Sequence, residues 1–222
     1  MKHITFWYDA ISPFAYLAFE RLPEALAGCS VEVSYRPILL AGLLQHWGQK
    51  GPAEIEPKRA WTFRHVHWLA AQQGVPLHTP AQHPFNPLAL QRLALAAGPN
   101  RRVVEAVLRH VWCGDGADAN APERLAALRA QLAPTLDPDS AAVKQQLRDD
   151  TEAALRAGVF GVPAFGLEGR VFWGLDALPM LAAAVRGDAW FDGPAWDREG
   201  APRAGVTRAA AVQRTDGGAG AA

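Results

Sequence analysis

The chain has 222 residues, is 50% hydrophobic, and carries 22 Lys plus Arg against 22 Asp plus Glu. That length and apolar content can bury a full-sized core, and the charge balance excludes a global field drawing the chain to nucleic acid or an acidic membrane. No uninterrupted apolar stretch reaches the roughly 18 residues of a membrane span, and Met1-Lys2-His3 leads into a strand pattern rather than a secretory leader. A cytoplasmic protein with neither nucleic-acid nor membrane partners is therefore expected.

In chain order, Ile4-Thr5-Phe6-Trp7-Tyr8-Asp9 predicts a buried strand, and Ser12-Pro13 places a capping hydroxyl before a proline at the first helical position. Residues 14–27 form an apolar helix face through Tyr16, Leu17, Phe19, Leu22 and Leu26, with Pro23 as a kink or early end. Ser30 to Arg36 then alternates as a strand and stops at Pro37. The resulting β-α-β unit predicts parallel strands. Capping alone accounts for Ser12, but the mouth of a helix also favours an anion such as a thiolate.

From Leu39 to Leu132 the pattern is helical, broken by Gly and Pro: 41–48, 58–73, 87–97, 101–112, and a helix started by a capping box at Asn120-Ala121-Pro122-Glu123. This predicts an all-helical insertion over 41–138, with Pro76 to Pro87 as a stiffened bend. Lys58 at a helix start opposes the dipole, which fits either a solvated lysine or one with an anionic partner. Lys50 lies in a Gly-rich loop within reach of the same cavity, and Trp47, Trp61, Trp68 and Phe85 read as core and as the aromatic wall of a pocket. His65 and His67 fall on different sides of a helix, and His78 and His83 lack further ligands, so no metal site is expected. Cys29 and Cys113 permit one disulfide but supply no Cys-x-x-Cys centre; burial between helix and strand suits Cys29, and a helix-end core position suits Cys113.

Residues 139–157 predict another helix. Val162 to Leu167 and Arg170 to Trp173 predict a hairpin about Glu168-Gly169, Ala177 to Arg186 a final helix, and 193–222 a flexible tail, disordered over 203–222. The order β-α-β, insert, α-β-β-α is a thioredoxin-type layout, with residues 1–40 and 139–192 forming one α/β domain. Proline heading a strand is ordinarily a trans edge residue. Within this layout a cis Val162-Pro163 bond is the better reading, presenting the Val162 main chain to a ligand strand. Asp176 serves as a helix cap, as an acceptor for an amino-acid ammonium, or as both.

Asp9-Ala10-Ile11-Ser12-Pro13-Phe14-Ala15-Tyr16-Leu17-Ala18, Arg36-Pro37-Ile38-Leu39-Leu40, Gly158 to Phe165 and Phe172 to Pro179 together resemble the 2-hydroxychromene-2-carboxylate isomerase family. That family lies in the DsbA-like and kappa-class glutathione transferase group, and the resemblance spans essentially residues 3–186. It implies a thioredoxin-like domain with an all-helical insertion, glutathione as cofactor, a homodimer, and a small aromatic or conjugated carboxylate as substrate. By that match Ser12 faces and activates the glutathione sulfur, Val162 before cis Pro163 pairs with the cysteinyl unit, and Asp176 takes the glutamyl end. Lys58 falls near a glutathione or substrate contact, and Asn86 near a substrate-facing asparagine; Lys50, Trp61 and Phe85 complete the expected substrate side. The implied reaction interconverts 2-hydroxychromene-2-carboxylate and trans-o-hydroxybenzylidenepyruvate by reversible thiol addition, rotation and elimination. A kappa-like transferase, a DsbA-like oxidoreductase and a non-catalytic binding module are the alternatives. The segments Gly48 to Gly51, Lys58 to Phe63 and His78 to His83 depart from the family pattern and bear on the second substrate.

Overall fold

A computed structural model describes residues 1–200, which divide between a unit ending at Arg186 and a second beginning at Gly187. In the first unit, β1 (Lys2–Tyr8) runs into α1 (Pro13–Ala25) and returns as β2 (Val31–Pro37), parallel to β1. Strands β3 (Ala164–Leu167) and β4 (Arg170–Trp173) form an antiparallel hairpin, giving the sheet order β2-β1-β3-β4. Glu168 and Gly169 both adopt positive φ at its turn, where the glycine is free of a Cβ penalty.

Register aligns one aromatic from each strand. Tyr35, Phe6, Phe165 and Phe172 occupy paired positions across all four strands. Phe6 stacks on Phe165 at 5.0 Å and meets Tyr35 edge-on at 5.9 Å. Such pairs add about 0.5–1.5 kcal/mol each beyond their buried area. Phe19 of α1 packs on Tyr35, so α1 covers this face. On the opposite face Trp7 packs with Ile38, Leu43, Ala154, Val159, Val162 and Ala164, which brings in α7 (Ala141–Arg156). The Trp7 ring lies over Gly166, where an added Cβ would sit 2.7 Å from the indole.

Between β2 and α7 the chain is helical: α2 (Leu40–His46), a 3-10 turn at Pro52–Glu54, α3 (Glu56–Gln73), α4 (Leu88–Ala96), α5 (Arg101–Trp112) and α6 (Pro122–Leu132). The bend before α4 is tied down along its length. Tyr16 donates its hydroxyl to the Pro76 carbonyl at 2.9 Å, His78 its N–H to the Trp112 carbonyl at 2.6 Å, and Asn120 its amide to the Asn86 carbonyl at 3.1 Å. That last bond corrects the expected capping box. The N-cap of α6 is Ala121, without a side-chain bond, because Asn120 is turned toward the bend instead.

A 3-10 turn at Leu175–Ala177 leads into α8 (Leu178–Arg186), which closes the first unit. Cys29 and Cys113 are free thiols, so the disulfide that two cysteines permit is not formed. The second unit contains short helices α9 (Ala189–Asp192) and α10 (Ala195–Glu199). Its Trp190, Phe191 and Trp196 rings pack together at 5.0–6.0 Å. Structure therefore extends past residue 193, where a flexible tail was expected, while the disorder expected over 203–222 lies outside the described residues. No described helix is long and apolar enough to cross a membrane.

Candidate active site

The pairing Trp7↔Ala164 is the last rung of the β1–β3 ladder, so the loop after β1 and the loop before β3 emerge side by side. Ser12 ends the first loop. Its backbone is extended, its Oγ accepts the Ala15 N–H at 3.2 Å as the N-cap of α1, and Pro13 opens the helix without needing a donor partner. The same hydroxyl donates to the Val162 carbonyl at 3.4 Å, and the side chain is only 7% exposed. The Val162-Pro163 bond is cis.

The second loop is held from both sides. Trp47 donates its indole N–H to the Val159 carbonyl at 3.1 Å, and the Gly174 N–H reaches the Pro163 carbonyl at 2.9 Å. That last bond brings the Asp176 turn against the cis proline. Gly174 has φ 99° and ψ 162°, a region essentially confined to glycine, and an added Cβ would collide with the Asp176 carboxylate. The turn is thus shaped by a residue with no side chain, with Asp176 folded back over it.

A cleft of about 790 Å³ opens here, between α1, α3 and α8. Val162, Pro163, Gly174 and Asp176 line it with Phe14, His65 and Trp173, and Arg21, Glu24, Gln73 and Arg186 carry its lining on along the helices. Ser12 adjoins this lining through its bond to Val162 and its place two residues before Phe14. Phe160 packs on Trp173 at 4.9 Å, and the Trp173 indole nitrogen covers Gly161 so closely that a Cβ there would lie 2.7 Å from it. Opposite, His65 is flanked on α3 by Trp61 at 6.0 Å and Trp68 at 6.5 Å, two rings that are 65% and 59% exposed.

Of the residues singled out from sequence, Ser12, Val162, Pro163 and Asp176 come together. Lys50, Lys58, Trp61, Phe85 and Asn86 are not among the residues lining the cleft. Lys50 and Lys58 are exposed, Phe85 is buried beside His83, and the Asn86 carboxamide accepts the Leu88 N–H at the start of α4. Trp61 reaches the cleft only indirectly, through His65. Sequence reasoning passed over Phe14, His65 and Trp173 as cleft residues, although their aromatic character beside Ser12-Pro13, Trp61 and Gly174 was visible.

Asp9 was passed over as well. It is 1% exposed, and its carboxylate accepts the Ile11 N–H at 3.1 Å and the Leu40 N–H at 2.9 Å. Burial outweighs those two bonds and pushes its pKa up to about 7. Its carbonyl accepts the Ser12 N–H at 3.0 Å, so the residue folds the turn that presents the hydroxyl.

Chemically, the arrangement offers a cis peptide at the cleft wall, a helix N-terminus with a hydroxyl, and a carboxylate on the far side of a glycine cradle. Those features fit a short peptide with a charged end, its main chain against Val162 and an anionic group at the mouth of α1. The oxygen at position 12 cannot undertake disulfide exchange.

Comparison with known proteins identifies the family and the fold. The DSBA-like thioredoxin domain family matches over residues 3–186. The 2-hydroxychromene-2-carboxylate isomerase of Sphingobium xenophagum is 31% identical over 192 residues, covering 81% of this chain and 96% of that protein. Glutathione S-transferase kappa 1 of Homo sapiens is 26% identical over 212 residues, covering 85% and 92%. A solved 2-hydroxychromene-2-carboxylate isomerase structure superposes with a TM-score of 0.74 at 25% identity, covering 86% of this chain and 97% of that one. The chain belongs to the DSBA-like thioredoxin domain family, in the group of 2-hydroxychromene-2-carboxylate isomerases and kappa-class glutathione transferases.

Proposed function

We propose that this chain is a glutathione-dependent isomerase interconverting 2-hydroxychromene-2-carboxylate and trans-o-hydroxybenzylidenepyruvate. The observation that carries the reading is the contact of the Ser12 hydroxyl with the carbonyl before cis Pro163, beside the cleft that Asp176 also lines. Relatives named for this isomerase at 30–31% identity support the substrate.

Glutathione, when bound, supplies a thiol that adds to and leaves a conjugated substrate, turning a double bond into a freely rotating single one. Ser12 would face its sulfur, the Val162 main chain its peptide, and Asp176 its ammonium. The Ser12–Val162 bond, at 3.4 Å, is long for an O–H donor, so little is lost when the hydroxyl turns to a better acceptor. The positive end of the α1 dipole then favours the same charge. Phe14 and Trp173 give this end of the cleft an aromatic lining.

The test is interconversion of the two compounds followed by absorbance, with glutathione, with S-methylglutathione, and with neither. Turnover only with glutathione is expected; equal rates in all three, or none with glutathione, would overturn the reading. A second reading, a kappa-like transferase acting on another electrophile, is favoured by the kappa-class relatives and by the position of Lys50, Lys58 and Asn86 outside the cleft lining. Accumulation of a stable thioether product would select it. The homodimer belongs to the same proposal, and sedimentation as a monomer across a wide concentration range would remove it.

A further inference from the structure

The turn from Tyr8 to Ser12 presents its main chain to the insert, and side chains from three segments of the insert take it up. Gln91 of α4 is 0% exposed. Its Nε2 donates to the Tyr8 carbonyl at 3.1 Å and the Ile38 carbonyl at 2.8 Å, while its Oε1 accepts the Ala10 N–H at 3.3 Å. Trp112, fully buried at the end of α5, donates its indole N–H to the Ala10 carbonyl at 3.0 Å. His83, in the bend before α4, meets the Ile11 carbonyl through Nε2 at 2.9 Å. A carbonyl only accepts, so Nε2 carries a hydrogen. Nδ1 is buried with no partner among the described residues, and burial lowers the pKa of the ring, which agrees with a neutral imidazole fixed in one tautomer.

A turn that needed only burial could be covered by apolar side chains and closed by its own hydrogen bonds. Here donors from the insert hold the carbonyls of Tyr8, Ala10 and Ile11, the approach to Ser12, and each buried polar group carries a cost when its partner is lost. The Ser12 contacts tolerate little displacement. Its Oγ already stands 3.4 Å from the Val162 carbonyl and 3.2 Å from the Ala15 nitrogen, at the outer range of hydrogen bonding.

We propose that Gln91, Trp112 and His83 are positioning residues through which the helical insert sets the place of the Ser12 hydroxyl. The proposal rests on the reading of Ser12 as the group facing the glutathione sulfur. It makes the insert part of the thiol-activating machinery as well as a wall for the second substrate.

Three variants separate a positioning role from a merely structural one. Trp112→Phe keeps an aromatic ring but loses the N–H and part of the indole volume, His83→Leu loses the donor, and His83→Gln keeps an amide donor toward Ile11. The first readout is the pH titration of thiolate absorbance for glutathione held by each protein. In Trp112→Phe and His83→Leu the bound thiol is expected to titrate about half a pH unit or more higher, roughly a threefold loss of thiolate below the midpoint, with His83→Gln near wild type. The second readout needs no glutathione: hydrogen exchange at the Ser12 and Ala15 amides of the free protein, expected to speed up about fivefold or more in the first two variants. An unchanged exchange rate in both, or a His83→Gln protein as impaired as His83→Leu, would overturn the proposal even if each melts at a lower temperature. Should wild type hold no glutathione, the functional reading falls, and amide exchange alone decides this one.

Discussion

The hydroxyl of Ser12 touches the carbonyl of Val162, 150 residues along the chain, at 3.4 Å. That contact marks where the end of β1 meets the start of β3. Two local signals, a capping serine before proline and a valine before proline, become one feature only because the β1–β3 register ends at Trp7 and Ala164.

Replacing Ser12 with alanine removes an N-cap acceptor and the donor to Val162 together. Unfolding by denaturant should show a loss of about 1 kcal/mol, the ordinary value of a lost cap. Turnover should fall far more, by about 10²-fold, as expected when a donor aimed at developing charge is removed. A rate loss no greater than the stability loss predicts would mean that Ser12 is only a cap.

Asp176→Asn keeps the shape of the turn and removes its charge. A charge-assisted hydrogen bond contributes about 1.5–3 kcal/mol, so calorimetric affinity for glutathione should weaken by about tenfold or more. Turnover at saturating glutathione should change little, because the group acts on binding rather than on the sulfur. Unchanged affinity would remove Asp176 from the site.

Gly174→Ala places a Cβ where φ is 99° and where the Asp176 carboxylate already lies. The strain should lower stability by about 1–3 kcal/mol and displace Asp176 in the same step. Thermal melting and glutathione titration should therefore fall together in this variant, whereas Asp176→Asn should affect the titration alone.

Asp9 predicts a pH signature with a definite sign. Its folded pKa of about 7 lies above the unfolded carboxyl value of about 3.9, so between them the folded protein holds a proton that the unfolded chain has released. Its contribution is fully present below the unfolded value and is lost as pH rises through the folded one. Wild-type stability relative to Asp9→Asn should decline between about pH 4 and 7, by at most about 1.4 kcal/mol per pH unit, and level off above. Chemical denaturation of both proteins across that range checks it; a difference that grows with pH would reverse the assignment.

Much of this arrangement was legible because it is written locally. The Ser12-Pro13 corner, the Glu168-Gly169 turn and the parallel β1–β2 pair each follow from a few neighbouring residues, and the cis bond at Pro163 followed once the layout was recognised. The grip of the insert on the Ser12 turn was not legible. His83 meets Ile11 across 72 residues and Trp112 meets Ala10 across 102, side chain to main chain, and no periodicity encodes such a bond. Gln91 left one trace, a polar residue within the apolar run from Leu88 to Ala96, where burial demands a partner. Lys50, Lys58, Phe85 and Asn86 were proposed for chemistry, and their side chains instead face solvent, core or a neighbouring helix cap.

The central claim, that Ser12 stabilises a glutathione thiolate at this corner, is tested most directly by the ionisation of glutathione held by wild type and by Ser12→Ala. Thiolate absorbance against pH should give a bound-thiol pKa in wild type below the roughly 8.5 of a free cysteine thiol, climbing by about one unit in the variant. A bound thiol that titrates like the free one in wild type, or identically in the two proteins, would contradict the account.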